Sequence, residues 1–339
     1  MMCVLCSLAI SGFVLVAVYT VYQSIRWLLD RILIGGLHAR PVLITGCDSG
    51  FGRELALKLL TNGVPVFAAC LTDQGIDTLR EKSSNLPGEL ETILMDVTKQ
   101  ESVDSAVKFV ESKTNGLWGI VNNAGVVGAS AAEEWITITD YEKCLSVNIL
   151  GVIRVTKSFL HLVKRRQGRV VTVASVCARV ALPSVAPYNV SKFAVEAFCD
   201  SLRFEMLPWG VTVCILEPGF FRTTLLDAKR IDAEQDRLWD ALSDEVKEQY
   251  GQVFHEKTKE IRSTTMLEWA DKDTGKVVDA YFCSLFSRFP RARYQVGLDS
   301  KFFFIPMSLL PTEIQDFILT MLLKFRGTPL PAGAVISSY

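Results

Sequence analysis

A glycine-rich segment directly after a short apolar run is the feature that most constrains the fold. Residues 45–52 (TGCDSGFG) follow an apolar run at residues 41–45, and residues 53–61 have apolar side chains at helical spacing. Asn62-Gly63 then provides a typical helix end. A glycine turn between a strand and a helix lets a phosphate approach free N–H groups at the helix N-terminus. The segment therefore predicts a dinucleotide site near the start of an α/β fold.

Six further apolar runs repeat this rhythm and are separated by stretches with helical spacing, the longest of which covers residues 191–207. They lie at residues 64–70, 92–95, 119–121, 169–174, 211–216 and 293–296. Strands that alternate with helices predict a parallel sheet covered on both faces. We therefore expect a Rossmann-type, doubly wound α/β domain of about seven strands over residues 41–300.

The N-terminal residues predict a membrane anchor. Residues 1–24 contain no charged side chain, and residues 4–22 are strongly apolar. A spanning helix needs about 20 apolar residues, which this segment supplies. Arginines follow in a linker at residues 25–40, so the positive-inside tendency places the main domain on the cytosolic side.

Two later regions depart from the strand–helix alternation. Residues 220–275 are polar, helical in pattern and follow the sixth strand, where ligands bind in open α/β sheets, so they predict a substrate-side insertion. Residues 301–339 form a C-terminal extension, whose apolar part is broken by Pro306 and Pro311. This extension is expected to lie in the membrane interface or to cover the substrate pocket. A C-terminal helix packed on the core is an equally good alternative.

The composition excludes several classes of protein. The formal net charge of -1 gives no sign of a nucleic-acid partner. Three histidines lie far apart in the sequence, so no metal site is expected. Nine cysteines without a regular framework indicate reduced thiols.

A set of polar residues downstream of the glycine segment suits proton transfer. Tyr188 and Lys192 are four residues apart and share one helix face. A neighbouring ammonium is expected to lower the pKa of Tyr188, so that its phenolate accepts the proton of an alcohol while a hydride leaves the carbon. Ser175, at the end of the fifth strand, can hydrogen-bond the same oxygen, and Asn148 can hold a water that connects Lys192 with solvent.

Together with the glycine segment, these residues resemble the short-chain dehydrogenase/reductase family over residues 41–223. The resemblance implies a catalytic tetrad of Asn148, Ser175, Tyr188 and Lys192. The residues that it implies as cofactor contacts are Gly46, Asp48, Ser49, Gly50, Phe51, Gly52, Asp73, Asp96, Val97, Asn123, Ala124, Gly125, Tyr188, Lys192, Pro218, Gly219, Phe221 and Thr223. Substrate contacts are expected from Ser175, Tyr188 and Phe220.

The expected cofactor is NAD, with NADP less favoured. The glycine segment carries Asp48 and no basic residue before Arg53, and the second strand is followed by Asp73. An acidic residue favours the ribose hydroxyls of NAD, whereas NADP needs a basic partner for its 2′-phosphate.

Residues 69–72 (ACLT) and 116–119 (GLWG) resemble the retinol and hydroxysteroid dehydrogenase branch of the family. This resemblance implies a membrane-bound enzyme of the endoplasmic reticulum that acts on a small lipophilic alcohol, ketone or aldehyde. Membrane lipid is then a partner, and a homodimer is compatible with the resemblance.

Two alternatives stay open at this point. Residues 186–198 also resemble D-β-hydroxybutyrate dehydrogenase, whose acidic substrate would need a cation such as Arg179 or Arg222. A protein of another class, a cofactor-binding scaffold without turnover, would have the same motifs.

Overall fold

The computed structural model describes residues 20–334 together with Val14, Ala17 and Val18, except for the side chains of residues 266 and 267. Seven strands within this part of the chain form one parallel sheet in the order β3-β2-β1-β4-β5-β6-β7. The strands are β1 (Val42–Thr45), β2 (Val66–Cys70), β3 (Leu90–Leu94), β4 (Gly119–Asn122), β5 (Arg169–Val173), β6 (Thr212–Pro218) and β7 (Arg293–Val296). The predicted doubly wound fold is confirmed.

Helices connect the strands and extend beyond the last one. Those of the sheet layers are α1 (Gly50–Thr61), α2 (Asp73–Ser83), α3 (Gln100–Lys113), α4 (Ile138–Leu145), α5 (Val152–Arg166) and α6 (Ala186–Met206). Those that follow β6 are α7 (Ala228–Asp240), α8 (Asp244–Tyr250), α9 (Gln252–Trp269), α10 (Gly275–Phe286) and α11 (Thr312–Phe325). Single turns occur at Leu37–Ala39, Glu133–Trp135, Val176–Ala178, Leu207–Trp209, Thr224–Leu226 and Ile305–Met307, and π-helical turns at Ser146–Gly151 and Ser300–Phe304.

The core consists of two apolar layers, one on each face of the sheet. Side chains of α3, α5 and α6 pack on one face, where Phe159 is fully buried. Side chains of α1, α2 and α10 pack on the other, where Tyr281 and Phe286 are fully buried. The residues of β1 and β2 are buried on both faces of the sheet, which explains why these strands are continuous apolar runs, whereas β7 at the sheet edge alternates between buried and half-buried residues.

The strand order reverses between β1 and β4, which is where ligands bind in open α/β sheets. Helix α6 begins at residue 186, five residues before the start of the helical pattern at residue 191. Pro187 stands in its first turn, where a missing N–H costs nothing. Because the helix begins at residue 186, Tyr188 lies on it, on the same face as Lys192.

The predicted anchor at residues 1–24 lies mostly outside the described residues. Residues 20–30 are helical, and Arg291 ties this helix to the body of the protein through an ion pair with Asp30 at 2.6 Å. In the part of the chain that was described, residues 138–166 are the stretch long and apolar enough to cross a membrane. Half of an 18-residue apolar window in that stretch is buried in the protein, where it packs on the sheet.

Candidate active site

A cavity of about 740 Å³ opens at the carboxyl ends of the strands. Most of the residues expected at the site line it. They are Gly46, Asp48, Ser49, Gly50, Phe51, Asp96, Val97, Asn123, Ala124, Gly125, Ser175, Tyr188, Lys192, Pro218, Gly219, Phe220, Phe221 and Thr223. Three others, Gly52, Asp73 and Asn148, do not line it.

The glycine loop lies directly on the loop that follows β4. Gly46 has φ 70°, and a Cβ there would be 2.8 Å from the Cα of Ala124. A Cβ on Gly52 would overlap Asn123 Nδ2 and the carbonyl oxygen of Gly46. Gly52 therefore shapes the loop from behind and needs no contact with a ligand.

Asn123 joins the two loops by hydrogen bonds. Its Nδ2 donates to the carbonyl oxygens of Thr45 at 2.9 Å and Gly46 at 3.1 Å. Its backbone N–H donates to the hydroxyl of Thr45 at 3.0 Å, and its Oδ1 accepts from the hydroxyl of Tyr281 at 3.2 Å. These hydrogen bonds hold the glycine loop in one conformation.

The N-terminus of α1 is available to an anion. Ser49 is the N-cap residue but makes no capping hydrogen bond, because its hydroxyl lies 2.7 Å from that of Thr224. Gly50 has φ 54°, and a Cβ there would meet only Thr223, at 3.7 Å. Free N–H groups and the positive end of the helix dipole therefore belong to residues that line the cavity.

Asp48, rather than Asp73, is the carboxylate at the end of β2. It accepts hydrogen bonds from the N–H groups of Leu71 at 2.8 Å and Thr72 at 3.0 Å, and from the Thr72 hydroxyl at 2.8 Å. Asp73 is exposed and does not line the cavity, because α2 already begins at this residue and turns away from the strand end.

Tyr188, Ser175 and Lys192 meet at the ends of β5 and α6. The Nζ of Lys192 lies 5.5 Å from the ring centroid of Tyr188 and donates to the carbonyl oxygen of Val173 at 2.9 Å. The Ser175 side chain hydrogen-bonds Tyr188 and accepts from the N–H of Cys177 at 3.2 Å. Helical spacing thus brings the phenol and the ammonium together, and the turn after β5 adds the hydroxyl of Ser175.

The pKa of Tyr188 differs in direction from the expectation for this site. Burial raises the pKa of Tyr188 above its ordinary value, and the hydrogen bond from Ser175 opposes that rise only in part. Burial also lowers the pKa of Lys192 to about 8. In the protein alone, removal of water therefore outweighs the Ser175 hydrogen bond at the phenol.

Asn148 lies behind the cavity wall, in the π-helical turn between α4 and α5. Its Oδ1 accepts from the N–H of Val126 at 2.8 Å, and its Nδ2 donates to the carbonyl oxygen of Val126 at 2.8 Å and the hydroxyl of Ser191 at 3.0 Å. A Cβ on Gly125 would lie 3.4 Å from Asn148 Oδ1 and 4.0 Å from Lys192 Nζ. Asn148 is thus a near neighbour of Lys192.

Several cavity residues were missed by sequence reasoning. They come from the insertion and the C-terminal extension and include Gln235, Thr258, Arg262, Trp269, Phe303, Phe304, Leu319 and Leu322. Asp299 was missed as well: its carboxylate accepts from the N–H of Phe220 at 2.7 Å and from that of Ser300 at 2.8 Å, and a Cβ on Gly219 would overlap it. Their distance along the chain from the motifs left no sequence signal for individual residues.

The amino-acid sequence of this chain resembles those of known proteins. The chain matches the short chain dehydrogenase family over residues 40–253. It is 42% identical to bovine 17-beta-hydroxysteroid dehydrogenase type 6 over 316 residues. These residues are 93% of this chain and 96% of that protein.

The chain belongs to the short-chain dehydrogenase family.

Two further relatives cover nearly the whole chain. Retinol dehydrogenase 7 of Rattus norvegicus is 40% identical over 323 residues, which are 95% of this chain and 99% of that protein. The 3beta-hydroxysteroid dehydrogenase dhs-16 of Caenorhabditis elegans is 42% identical over 320 residues, which are 92% of this chain and 82% of that protein. The predicted branch is confirmed as the one that this chain resembles.

Solved structures of the short-chain dehydrogenase family share the fold. A short-chain dehydrogenase from Streptomyces avermitilis has a TM-score of 0.65 and 24% identity over 86% of this chain and 99% of its own. A 3-ketoacyl-(acyl-carrier-protein) reductase from Brucella melitensis, complexed with NADH, has a TM-score of 0.54 and 26% identity over 59% of this chain and 83% of its own.

Proposed function

We propose that this chain is a membrane-bound dehydrogenase that transfers hydride between a lipophilic alcohol, of the retinol or hydroxysteroid type, and NAD. One observation carries the proposal: the glycine loop and the Ser175–Tyr188–Lys192 group line one cavity, whose remaining wall is largely apolar. A dinucleotide and an apolar alcohol would therefore meet at the phenol.

The residues present fit a nicotinamide dinucleotide. Gly46 and Gly50 adopt left-handed backbone conformations that leave room for pyrophosphate beside the free N-terminus of α1. Asp48 stands at the end of β2, where the adenosine ribose binds in this fold. A carboxylate there favours the hydroxyls of NAD over the 2′-phosphate of NADP.

In the proposed mechanism, Tyr188 is the acid/base. Bound NAD supplies a hydride acceptor and a positive charge. The Oη of Tyr188 takes the hydroxyl proton of the alcohol, and the hydroxyl of Ser175 holds the same oxygen. Lys192, fixed by the carbonyl oxygen of Val173, supplies a cation beside the phenolate and a donor for the nicotinamide ribose. Asn148, close to Lys192, is proposed to hold the water through which the proton reaches solvent.

The cavity composition favours an apolar substrate. Phe220 packs against Phe304 with ring centroids 5.9 Å apart, and Trp269 packs against Phe303 at 5.5 Å. All four side chains line the cavity. Relatives that resemble the whole chain are named for hydroxysteroids and retinol, which are lipophilic alcohols.

A hydroxyacid substrate would need a cation in the cavity to bind its carboxylate, and the two candidate arginines do not supply one. Arg179 pairs with Glu217 at 2.8 Å, and neither Arg179 nor Arg222 lines the cavity. Among the lining residues described, Arg262 is paired with Asp232 and Arg326 with Glu268, while Arg230 is exposed. A small carboxylate would find no buried, unpaired arginine beside Tyr188.

Membrane lipid is proposed as a partner, with the endoplasmic reticulum as the site and the catalytic domain in the cytosol. The C-terminal extension contributes Leu319 and Leu322 to the cavity, while Phe317 on the same helix is 65% exposed and Phe325 is 89% exposed. A helix with one face on the pocket and another apolar face exposed is suited to the membrane interface. A homodimer stays a prediction of the resemblance.

The test is NADH formation by full-length protein in membranes. The panel contains all-trans-retinol, 11-cis-retinol, 3α- and 17β-hydroxysteroids and D-β-hydroxybutyrate, each with NAD and with NADP. We expect turnover of a lipophilic alcohol with NAD, and a loss of at least about 10²-fold in kcat for Tyr188→Phe, with cofactor binding retained. Turnover of hydroxybutyrate alone would establish the hydroxyacid alternative, and no turnover of any alcohol would favour the scaffold.

A further inference from the structure

A cluster of charged side chains joins β7 to the elements that carry the proposed catalytic group. The guanidinium of Arg293, on β7, forms ion pairs with Glu196 and with Asp200 on α6, the latter at 2.5 Å. It also pairs with Glu217 on β6 at 3.0 Å. Arg179 forms a second ion pair with Glu217, at 2.8 Å. We call these five residues the ion-pair cluster.

The ion-pair cluster reaches the helix that carries Tyr188 and Lys192. Glu196 is buried and follows Lys192 by four residues, about one helical turn. Lys192 itself is bonded to the carbonyl oxygen of Val173 on β5. A small shift of α6 relative to the sheet would therefore move the ammonium and the phenol together, away from the strand that holds them in place.

The ion-pair cluster also reaches two turns of the cavity wall. Arg179 ends the turn that begins at Ser175, and Glu217 directly precedes Pro218, which lines the cavity. The ion pair between Arg179 and Glu217 joins these two turns directly. Arg293 bonds the same oxygen of Glu217, its Oε1, and so links both turns with α6.

Stability alone gives no reason to bury these charges. Glu217 is fully buried, and burial raises its pKa, while burial lowers the pKa of Arg293 to about 10. Both shifts mean that the charged forms cost free energy to bury, and apolar side chains of similar size are often at least as stable in such places. Apolar contacts have no preferred direction, however, whereas hydrogen-bonded ion pairs fix the relative positions of the elements that they join.

We propose that Arg293 is a positioning residue, which holds α6 and the two turns where the phenol, hydroxyl and ammonium of the site act together. The inference rests on the proposed function and adds to it a residue that does not line the cavity. Lysine at this position would have a single amine, which cannot contact three carboxylates as the fork of guanidinium nitrogens does. Arg293→Lys therefore keeps the charge and removes the geometry.

The experiment compares full-length Arg293→Lys with the unmodified protein in membranes, with NAD and the alcohol of the panel above that turns over fastest. Sites are counted by fluorescence titration with NADH. We expect kcat per site to fall about tenfold or more, with KM for the alcohol and Kd for NADH changed by less than about threefold. The acid limb of the pH profile of kcat should move up by about half a pH unit or more, because a displaced ammonium stabilises the phenolate less.

Arg291→Lys is the matched control. Arg291 lies two residues before Arg293 and pairs with Asp30, on the helix of residues 20–30, through Nε at 2.9 Å and Nη2 at 2.6 Å. The same substitution there should leave kcat per site and the pH profile unchanged. If Arg293→Lys lowers only the number of NADH-binding sites, or if both variants change alike, the inference is overturned while the proposed function stands. No turnover of any alcohol by the unmodified protein would overturn the proposed function, and the inference with it.

Glu196→Gln provides a second measurement if Arg293→Lys does not fold. The amide keeps the shape of the side chain and removes one ion pair between α6 and Arg293, while Glu217 keeps both of its arginines. We expect kcat per site to fall about threefold or more at the plateau of the pH profile, where the lost charge no longer affects the protonation of the site. An unchanged plateau would contradict the proposal.

Discussion

At the scale of one residue, Lys192 makes the folded protein less stable but supplies a cation that the proposed reaction needs. The side chain is 4% exposed, and its only hydrogen bond among the described residues is to the carbonyl oxygen of Val173. Burial lowers the pKa of Lys192 from 10.5 to about 8. A buried ammonium is costly to fold, and it is retained beside Tyr188, where a fixed cation can stabilise a phenolate.

This cost predicts that Lys192→Met stabilises the protein while abolishing turnover. Because the folded-state pKa is below the unfolded one, the cost is fully present below pH 8 and disappears as the pH rises towards 10.5. At pH 7 we expect the unfolding free energy of the variant to be higher by on the order of 2 kcal/mol. Thermal melts of detergent-solubilised protein at pH 7 and pH 9.5, without cofactor, should show this gain shrinking at the higher pH.

Lys157→Met controls for the removal of a positive charge. Lys157 is exposed on α5, so its loss should leave both melting temperatures nearly unchanged. A lower melting temperature for Lys192→Met than for the unmodified protein at pH 7 would show that the bond to Val173 contributes more than burial costs.

At the scale of elements, the glycine loop and the loop after β4 act as one unit. The two are joined by Asn123, and Gly52 packs against both the Asn123 side chain and the backbone of Gly46. The first turn of α1 therefore has its position set by a loop about 70 residues away in the chain. Cofactor affinity should depend on this packing as well as on residues that touch the dinucleotide.

Gly52→Ala tests this dependence. The new Cβ would overlap Asn123 Nδ2 and the carbonyl oxygen of Gly46, so the loops must separate. We expect the Kd for NADH, measured by fluorescence titration, to rise about tenfold or more. Gly35→Ala is the matched control, because a Cβ there meets no atom within 4 Å and the Kd should not change. Equal affinity in both variants would mean that the loops do not act as a unit.

The whole molecule exposes apolar side chains on two helices that flank the catalytic domain in sequence. On residues 20–30, Val21, Ile25 and Leu28 are each more than half exposed and recur at helical spacing. On α11, Phe317 is 65% exposed and Met321 is 48% exposed. Contiguous apolar faces of this kind mark contact with lipid or protein.

Phe317→Glu/Met321→Glu tests whether α11 meets lipid near the entrance of the cavity. The N-terminal segment should keep the variant on the membrane. We expect the apparent KM for an alcohol dissolved in the bilayer of proteoliposomes to rise severalfold, because α11, which lines the cavity through Leu319 and Leu322, would leave the lipid that supplies the substrate. The kcat should stay the same, since neither side chain lines the cavity. Ile138→Glu, at an exposed position on α4, is the control for added surface charge, and the same rise in that variant would contradict the role of α11.

The sequence by itself determined the fold class, the strand positions and the residue set around Tyr188. Buried parallel strands are continuous apolar runs, and a four-residue spacing places Tyr188 and Lys192 on one helix face, so both are local properties of the chain. The boundaries of α6 were less accurate, because Pro187 concealed its first turn. Asp73 does not line the cavity, because α2 begins at this residue and turns away from the strand end.

Tertiary structure alone decided what the site looks like beyond these motifs. Gln235, Arg262 and Leu319 reach the cavity from segments far along the chain, and no local pattern encodes such an approach. The direction of the Tyr188 pKa shift was also decided there, because desolvation depends on every segment that covers the phenol. Spacing along a helix determines which groups are neighbours, but the packing of distant segments determines how much water remains around them.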